Sequence, residues 1–507
     1  MATVIQRRLS GARSMGKRIS GLWLSKLSRT PEIPESRVLP ADLFREIANH
    51  LTKQDILVLS SCSSELRSLL LPEIYATVSG LCGSRACSER LEMLSATPKR
   101  WVYIRKLEIA LDWRSWPIEE SVELRVASTL EKIFPGLTNL ETFTWGSRYP
   151  LQETVWRALR TSCPNLRNLT YTTQIREFQP DSELFKLRSL RQFSLCVPDN
   201  AQAPPAIQLD LPPQLCDMVL QNSDLEDLFL RVCSSHNNLQ SLSPLMQGTW
   251  SKLQSFHIEI CSHHPASDAI AAFLALHPSI KSLSLFPHLP QILPLSLSPD
   301  TLPHLESFTG ISQHVAALPH VDHLESLVLA DSPITDPSGV HTALGRLTSL
   351  TSLSVTIANA GDISTLSGIV SVCSILQSLN VSYQTPCTTK QLKAIAVELK
   401  RLPLLRNFTL SKTYRVADGT MLAAVLVLLE YNPGLREINK VWEATKGWKQ
   451  RGHYTITSSL SHDKPIPKFV DAEEFGPRAL GGSFTRRFRY PLDGGDNVSK
   501  GLARIRR

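Results

Sequence analysis

The chain has 507 residues, of which 42% are hydrophobic, 20% charged and 7% aromatic, a balance that excludes wholesale disorder. Its net charge of +8 is concentrated at the ends: residues 1–31 and 441–507 together hold +13. The body between them is mildly acidic, which argues against a nucleic-acid partner. The longest apolar run, Met421–Leu429, has nine residues, far short of the roughly 20 that a membrane-spanning helix needs.

The first 31 residues contain seven Lys/Arg and no acidic residue. Their apolar residues have helical spacing with arginines opposite, which is typical of a transit peptide or of a helix lying on a membrane surface. Gly11, Gly16 and Gly21 interrupt this spacing and favour a solvated tail. We expect residues 1–36 to form a basic, disordered tail, and the targeting interpretation stays open.

The next segment, residues 37–80, has the pattern of three short helices. A helical stripe of apolar residues four positions apart is made of Leu39, Leu43, Ile47 and Leu51. Pro40 suits a first helical turn, and Thr52 and Asp55 have the spacing of a capping box that starts a second helix. A segment of about 40 residues is close to the lower limit for burying its own core, which favours a docking module.

This segment resembles an F-box. The resemblance is carried by Leu39-Pro40, Leu43, Ile47, Leu51, Asp55-Ile56, Leu59, Cys62, Leu66, Leu71-Pro72 and Ile74-Tyr75. It implies docking on the Skp-type adaptor of a cullin-based SCF ubiquitin ligase. The implied adaptor-binding residues are Leu39, Pro40, Leu43, Ile47, Leu51, Ile56 and Leu59. The alternative is that residues 38–78 only cap a following repeat array.

After a helical linker at residues 81–100, one element recurs thirteen times, with few exceptions to its pattern: an apolar residue, two variable residues, then apolar, variable, apolar. The first apolar positions are Ile104, Leu140, Leu166, Leu190, Leu225, Leu253, Ile280, Leu305, Leu324, Leu350, Leu376, Leu405 and Leu435. Their mean spacing is about 28 residues, within the range of leucine-rich repeats. The alternation inside each element predicts a strand.

The stretches between these strands have helical periodicity. The predicted helices are Val122–Phe134, Leu151–Cys163, Ser267–Leu276, Thr389–Leu402 and Met421–Tyr431. Residues 101–440 therefore resemble leucine-rich repeats, in a degenerate array interrupted by the proline-rich segment Phe286–Leu302. The predicted fold class is α/β: a helical F-box, then a leucine-rich-repeat solenoid shaped as a horseshoe, with a parallel concave sheet and outer helices. Residues 441–507 are expected to supply a C-terminal cap, with Tyr454–Thr457 closing the last repeat, and a basic tail.

The sequence contains none of the common signatures of catalysis or structural zinc, so we expect neither an enzyme nor a cofactor. Cys261-Ser262-His263-His264 is the best metal-like cluster, but it has no second ligand pair at a known spacing. On the predicted concave face, small uncharged side chains predominate. Larger and charged residues interrupt them and form our candidate substrate-binding set: Asp227, Phe229, Arg231, His257, Glu259 and Phe286.

The predicted function is that of a substrate-recognition subunit of an SCF-type ubiquitin ligase. The F-box would bind the Skp-type adaptor and through it the cullin scaffold, and the repeats would hold an unknown protein substrate. Such a receptor would act in the cytoplasm, the nucleus or both. The alternative from another class is a leucine-rich-repeat interaction scaffold with no role in ubiquitin transfer.

Overall fold

A computed structural model gives the fold of most of the chain. The described residues are 40–82, 84–110, 120–147, 150–172, 179–197, 213–232, 240–260, 267–287, 295–330, 334, 337–359, 361–383, 385, 387–412, 421–442, 452–457 and 466–471. The predicted tail at residues 1–36, Leu39, the Cys261–His264 cluster and the chain beyond residue 471 lie outside them. The chain divides into two compact units, Met1–Ile74 and Tyr75–Arg507, here called the helical unit and the repeat unit.

In its described residues, the helical unit contains three short helices. They are α1 Ala41–His50, α2 Lys53–Ser60 and α3 Ser64–Ala76, whose last two residues belong to the repeat unit. The predicted capping box is confirmed: the Thr52 hydroxyl accepts from the Asp55 N–H, and the Asp55 carboxylate accepts from the Thr52 N–H. Ala48, Ile56 and Leu70 form a small core, and three partly buried residues surround it: Leu51, Leu59 and Ile74.

One sheet organises the repeat unit. Its described strands are β1 Thr77–Cys82, β2 Lys106–Ala110, β3 Thr142–Gly146, β4 Asn168–Thr172, β5 Gln192–Val197, β6 Asp227–Val232, β7 Ser255–Ile260, β8 Ser282–Pro287, β9 Ser307–Gly310, β10 Ser326–Leu329, β11 Ser352–Ile357, β12 Ser378–Tyr383, β13 Asn407–Lys412, β14 Glu437–Trp442, β15 Gly452–Thr457 and β16 Ile466–Asp471. They pair in chain order, with β1 to β14 parallel and the last two pairings antiparallel. The predicted α/β repeat solenoid is confirmed.

Helices connect most of the parallel strands. The described α-helices are α4 Ser84–Ser95, α5 Glu120–Ile133, α6 Glu153–Ser162, α7 Pro213–Leu220, α8 Ser267–Ala275, α9 Ser312–Ala317, α10 Pro337–Leu344, α11 Ile363–Val372, α12 Thr389–Leu399 and α13 Met421–Tyr431. Short 3₁₀ helices are Pro98–Tyr103, Phe134–Gly136, Glu183–Lys186 and Gln240–Gln247. The five helices predicted from periodicity are confirmed, with ends that shift by at most three residues. In the described residues, no helix combines the length and hydropathy needed to cross a bilayer.

The thirteen sequence elements coincide with thirteen strands. In every case the strand begins two residues after the first apolar position, as with Leu376 and the start of β12 at Ser378. All thirteen first apolar residues are buried in one continuous core. Their burial explains why this position is apolar in every element: each of these residues packs into the core just before its strand begins.

The sheet extends beyond the predicted repeats at both ends. At its start, β1 precedes the first element and lies across the predicted boundary between the F-box and the linker. Within that linker, α4 contributes Cys87, Leu91 and Leu94 to the main core. At the other end, β15 pairs antiparallel with β14, and Ile456 is buried in the core. The prediction that Tyr454–Thr457 closes the last repeat is confirmed.

Buried polar side chains link neighbouring repeats at one recurrent position, three residues before the first apolar residue of a repeat element. Asn222 accepts from the Leu190 N–H (2.8 Å) and donates to the Met218 carbonyl (2.7 Å). At the equivalent place, His277 Nε2 accepts from the Trp250 N–H (3.0 Å). Its Nδ1 therefore carries the proton and donates to the Phe273 carbonyl (2.7 Å) of the preceding helix.

Candidate functional site

The strands of the solenoid have one face against the helices and one face away from them, here called the open face. In β12, Leu379 and Val381 are buried against the helices, whereas Ser378 and Asn380 lie on the open face and are only partly buried. The parallel register aligns open-face residues in rows across the sheet. The middle row, one residue per strand from β2 to β14, is Glu108, Thr144, Thr170, Ser194, Phe229, His257, Ser284, Thr309, Val328, Ser354, Asn380, Thr409 and Asn439.

The six candidate substrate-binding residues lie together on three adjacent strands. Phe229 of β6 is the register partner of His257 of β7. In the next row, Arg231 pairs with Glu259, and Glu259 pairs with Phe286 of β8. Asp227 starts β6 in the first row, opposite a serine of β7. The sequence thus predicted the face and the clustering of these residues, and their binding role stays a prediction.

Phe229 and His257 form a stacked pair at the centre of this set. Their ring centroids are 4.0 Å apart and their planes differ by 6°. Adjacent strands lie about 4.8 Å apart, so parallel rings on register partners stack along the row, across the strands. His257 is 4% exposed and Phe229 is partly exposed, so the pair presents its phenylalanine outward.

The surroundings of the stack contain buried polar groups. Arg231 is 7% exposed, although it lies on the open face. Ser284, the middle-row residue beyond His257, is 6% exposed, and its hydroxyl has no hydrogen-bond partner in the part of the chain that the structure describes. Sequence reasoning passed over Ser284 as one of many small residues. The signal available was its place in the row beside His257.

Asp227 is the partly buried acidic group of the set. Burial raises the pKa of its carboxyl, and the hydrogen bond that Ser255 donates to it opposes this rise. Aromatic faces, a carboxylate and a guanidinium on one sheet face suit recognition of another molecule. Among the residues that the structure describes, no group of three or more His, Cys, Asp or Glu is placed to hold a metal ion.

The helical unit has an apolar surface of its own. Leu43 is 52% exposed and Ile47 is 44% exposed, one turn apart on α1. Leu57 and Val58 of α2 are exposed as well, and Pro40 precedes α1 in an exposed position. The predicted adaptor-binding set is thus divided. Leu43 and Ile47 face solvent, whereas Ile56 lies in the small helical core. Leu51 and Leu59 are partly buried and pack against that core.

Comparison with known proteins finds no matching family model and no matching curated protein. Among solved structures, the chain is similar to the one described as the crystal structure of the Rad7 and Elc1 complex in yeast. The two share 14% sequence identity over 88% of this chain and 95% of that chain, with a TM-score of 0.36. A similarity of this size identifies neither a family nor a function.

Proposed function

We propose that the chain is a substrate-recognition subunit of an SCF-type cullin ubiquitin ligase. The helical unit docks on a Skp-type adaptor, and the open face of the repeat unit holds a protein substrate. The protein carries no catalytic step of its own and acts in the cytoplasm, the nucleus or both. The resemblance of residues 39–75 to an F-box supports the first half of this proposal.

The observation that carries the proposal is the exposed apolar surface of α1. Leu43 and Ile47 stay about half exposed, although α1 already packs Ala48 into the small core. Burying a leucine or isoleucine side chain is worth about 1.5–3 kcal/mol. A short helix that leaves two such side chains in water is therefore expected to gain stability from a partner.

The core of the helical unit supports docking indirectly. Ile56 is buried between the helices, so it holds them together and presents the surface of α1. Thr52 and Asp55 fix the start of α2 by the capping box. Replacement of these residues would disturb the partner surface through the fold, whereas replacement of Leu43 or Ile47 removes contact area directly.

The test is affinity purification of the full chain, with the adaptor and the cullin measured in the recovered material. Leu43→Asp combined with Ile47→Asp is expected to abolish recovery of both, because charge on the docking surface would lose its hydration on binding. Undiminished recovery from this double variant would refute the F-box assignment.

A matched control exists on the repeat unit. Val397 and Leu404 are each 48% exposed, close to the exposure of Leu43 and Ile47. Val397→Asp combined with Leu404→Asp places the same charge on equally exposed apolar positions, and adaptor recovery should stay at the wild-type level. Loss of adaptor recovery in the control variant as well would mean that the two added charges act through solubility or folding. Recovery of partner proteins without adaptor, from the wild-type chain, would favour the scaffold alternative.

A further inference from the structure

The stacked pair on β6 and β7 uses one face of the Phe229 ring, and Phe229 stays partly exposed. His257 covers the face of Phe229 that points towards β7. The opposite ring face points along the row towards β5, where the register partner is Ser194. Ser194 is small and partly exposed, and the next residue in the row is Thr170. A planar group lying over Ser194 would extend the stack by one layer, because strand spacing is close to the stacking distance.

Two charged residues flank Phe229 along β6 on the open face, one acidic and one basic. Among the open-face positions of β3 to β13, three residues are charged: Asp227, Arg231 and Glu259. Asp227 lies two residues before Phe229 on the same face, is partly exposed, and accepts a hydrogen bond from Ser255 of β7. Arg231 lies on the other side of Phe229, is buried, and has Glu259 as its register partner. Of the two charges that flank the ring, the carboxylate is therefore the one more accessible to an incoming group.

We infer that this space receives the guanidinium of an arginine from the protein substrate, stacked on Phe229 and paired with Asp227. This inference rests on the proposed function, which supplies the protein substrate. A guanidinium is planar and cationic, so it meets both the ring and the carboxylate. Burial already disfavours the charged form of Asp227. An aromatic occupant would bury this carboxylate further without a counter-ion, and an acidic occupant would repel it.

The rest of the open face fits an extended segment that carries this arginine. Six consecutive strands, β7 to β12, place serine in the first row: Ser255, Ser282, Ser307, Ser326, Ser352 and Ser378. All six are partly buried and small, so a chain lying across them meets hydroxyl groups and no steric barrier. The arginine supplies the position-specific contact, and the serine row supplies general ones.

The experiment uses the full chain and four libraries of capped heptapeptides with degenerate flanks. The central residue is arginine, citrulline, lysine or phenylalanine, and binding is measured by fluorescence polarisation. We expect arginine to bind about tenfold more tightly than citrulline, which has the same shape without charge, and several-fold more tightly than lysine. Asp227→Asn should remove the preference over citrulline. Phe229→Leu should remove the preference over lysine.

Two further variants keep the test decisive. Ser194→Leu fills the space while Phe229 and Asp227 keep their own side chains, so it should abolish the arginine preference even if Phe229→Leu fails to fold. Asn407→Ser, seven strands away on the same face, should leave the preference unchanged. Equal binding of the arginine and citrulline libraries, best binding of the phenylalanine library, or no binding by any library would overturn the inference. Adaptor recovery is measured on the same preparation, so the two proposals can fail separately.

Discussion

Asn222→Leu is expected to destabilise the repeat unit, although leucine occupies the equivalent position in other repeats. In most elements the N–H of the first apolar residue donates to the backbone carbonyl three residues earlier, as Leu225 does to Asn222. Ser189 adopts a φ of 63°, in the left-handed region. The N–H of Leu190 donates to Asn222 Oδ1 (2.8 Å). Asn222, in the next repeat, thus supplies an acceptor for the Leu190 N–H, which lacks its usual backbone acceptor because the turn at Ser189 is irregular.

The expected loss of unfolding free energy in Asn222→Leu follows from the backbone groups that leucine would leave without a hydrogen bond. A buried N–H without an acceptor costs about 1–3 kcal/mol. The amide of Asn222 also donates to the carbonyls of Met218 (2.7 Å) and Leu187 (3.4 Å), and carbonyls tolerate such a loss better. We expect a total cost of about 2–4 kcal/mol. Ser189→Gly should instead be neutral or stabilising by about 1 kcal/mol, because glycine adopts a positive φ without strain.

The assay combines urea unfolding of the full chain, followed by circular dichroism, with hydrogen exchange at the Leu190 amide. Hydrogen exchange is needed because neighbouring repeats can open separately. The control is Asn432→Leu: the Asn432 amide donates to the carbonyls of Ala396 (2.7 Å) and Leu428 (3.4 Å). Within the described residues, this replacement therefore takes no acceptor away from a backbone N–H. Equal urea midpoints for the two variants, with the Leu190 amide still protected, would refute the reasoning.

Three further predictions concern the core, pH and location. Leu379→Ala should cost about 2–5 kcal/mol in urea unfolding, because it opens a cavity in the core. Asn380→Ala should cost about 1 kcal/mol in the same assay, because Asn380 is only partly buried and its bond to the Ser354 hydroxyl (2.9 Å) is of ordinary strength. Burial lowers the pKa of His277 from its ordinary 6.5, so the unfolded chain binds the extra proton first and stability should fall as pH drops below about 6.5. His277→Asn should flatten this part of the pH profile. A fluorescent protein fused to residues 1–31 is expected to stay outside mitochondria and unprocessed, as microscopy and mass measurement would check.

The strands were predictable because one buried residue precedes each of them. Leu376 and its twelve equivalents combine an invariant place in the element with complete or nearly complete burial. Strand β1 was missed because Thr77–Cys82 lacks that pattern and contains a glycine. Pairing with β2 defines it, and pairing is a tertiary contact that periodicity does not encode.

The candidate site was predictable in its face and not in its contacts. Alternation along β6 places Asp227, Phe229 and Arg231 on one side, which the sequence shows directly. The stacking of Phe229 on His257 depends on which residues of two strands become register partners. Those strands are separated by a connection of more than twenty residues, so their alignment is set by the repeat packing and not by local sequence. The burial of Arg231 has the same origin.

The apolar stripe of Leu39, Leu43, Ile47 and Leu51 shows why helical spacing alone predicts too large a binding surface. A step of four residues turns a helix by about 400°, so each step drifts by about 40°. Leu43 and Ile47 remain on the solvent side, while the drift brings Leu51, just after α1, into contact with the core that contains Ala48. Leu51→Ala should therefore lower the melting temperature of the helical unit with an indirect effect on docking. Leu43→Ala should weaken adaptor recovery and leave the melting temperature unchanged, and a shared effect of both variants on stability would show that the stripe acts as one buried face.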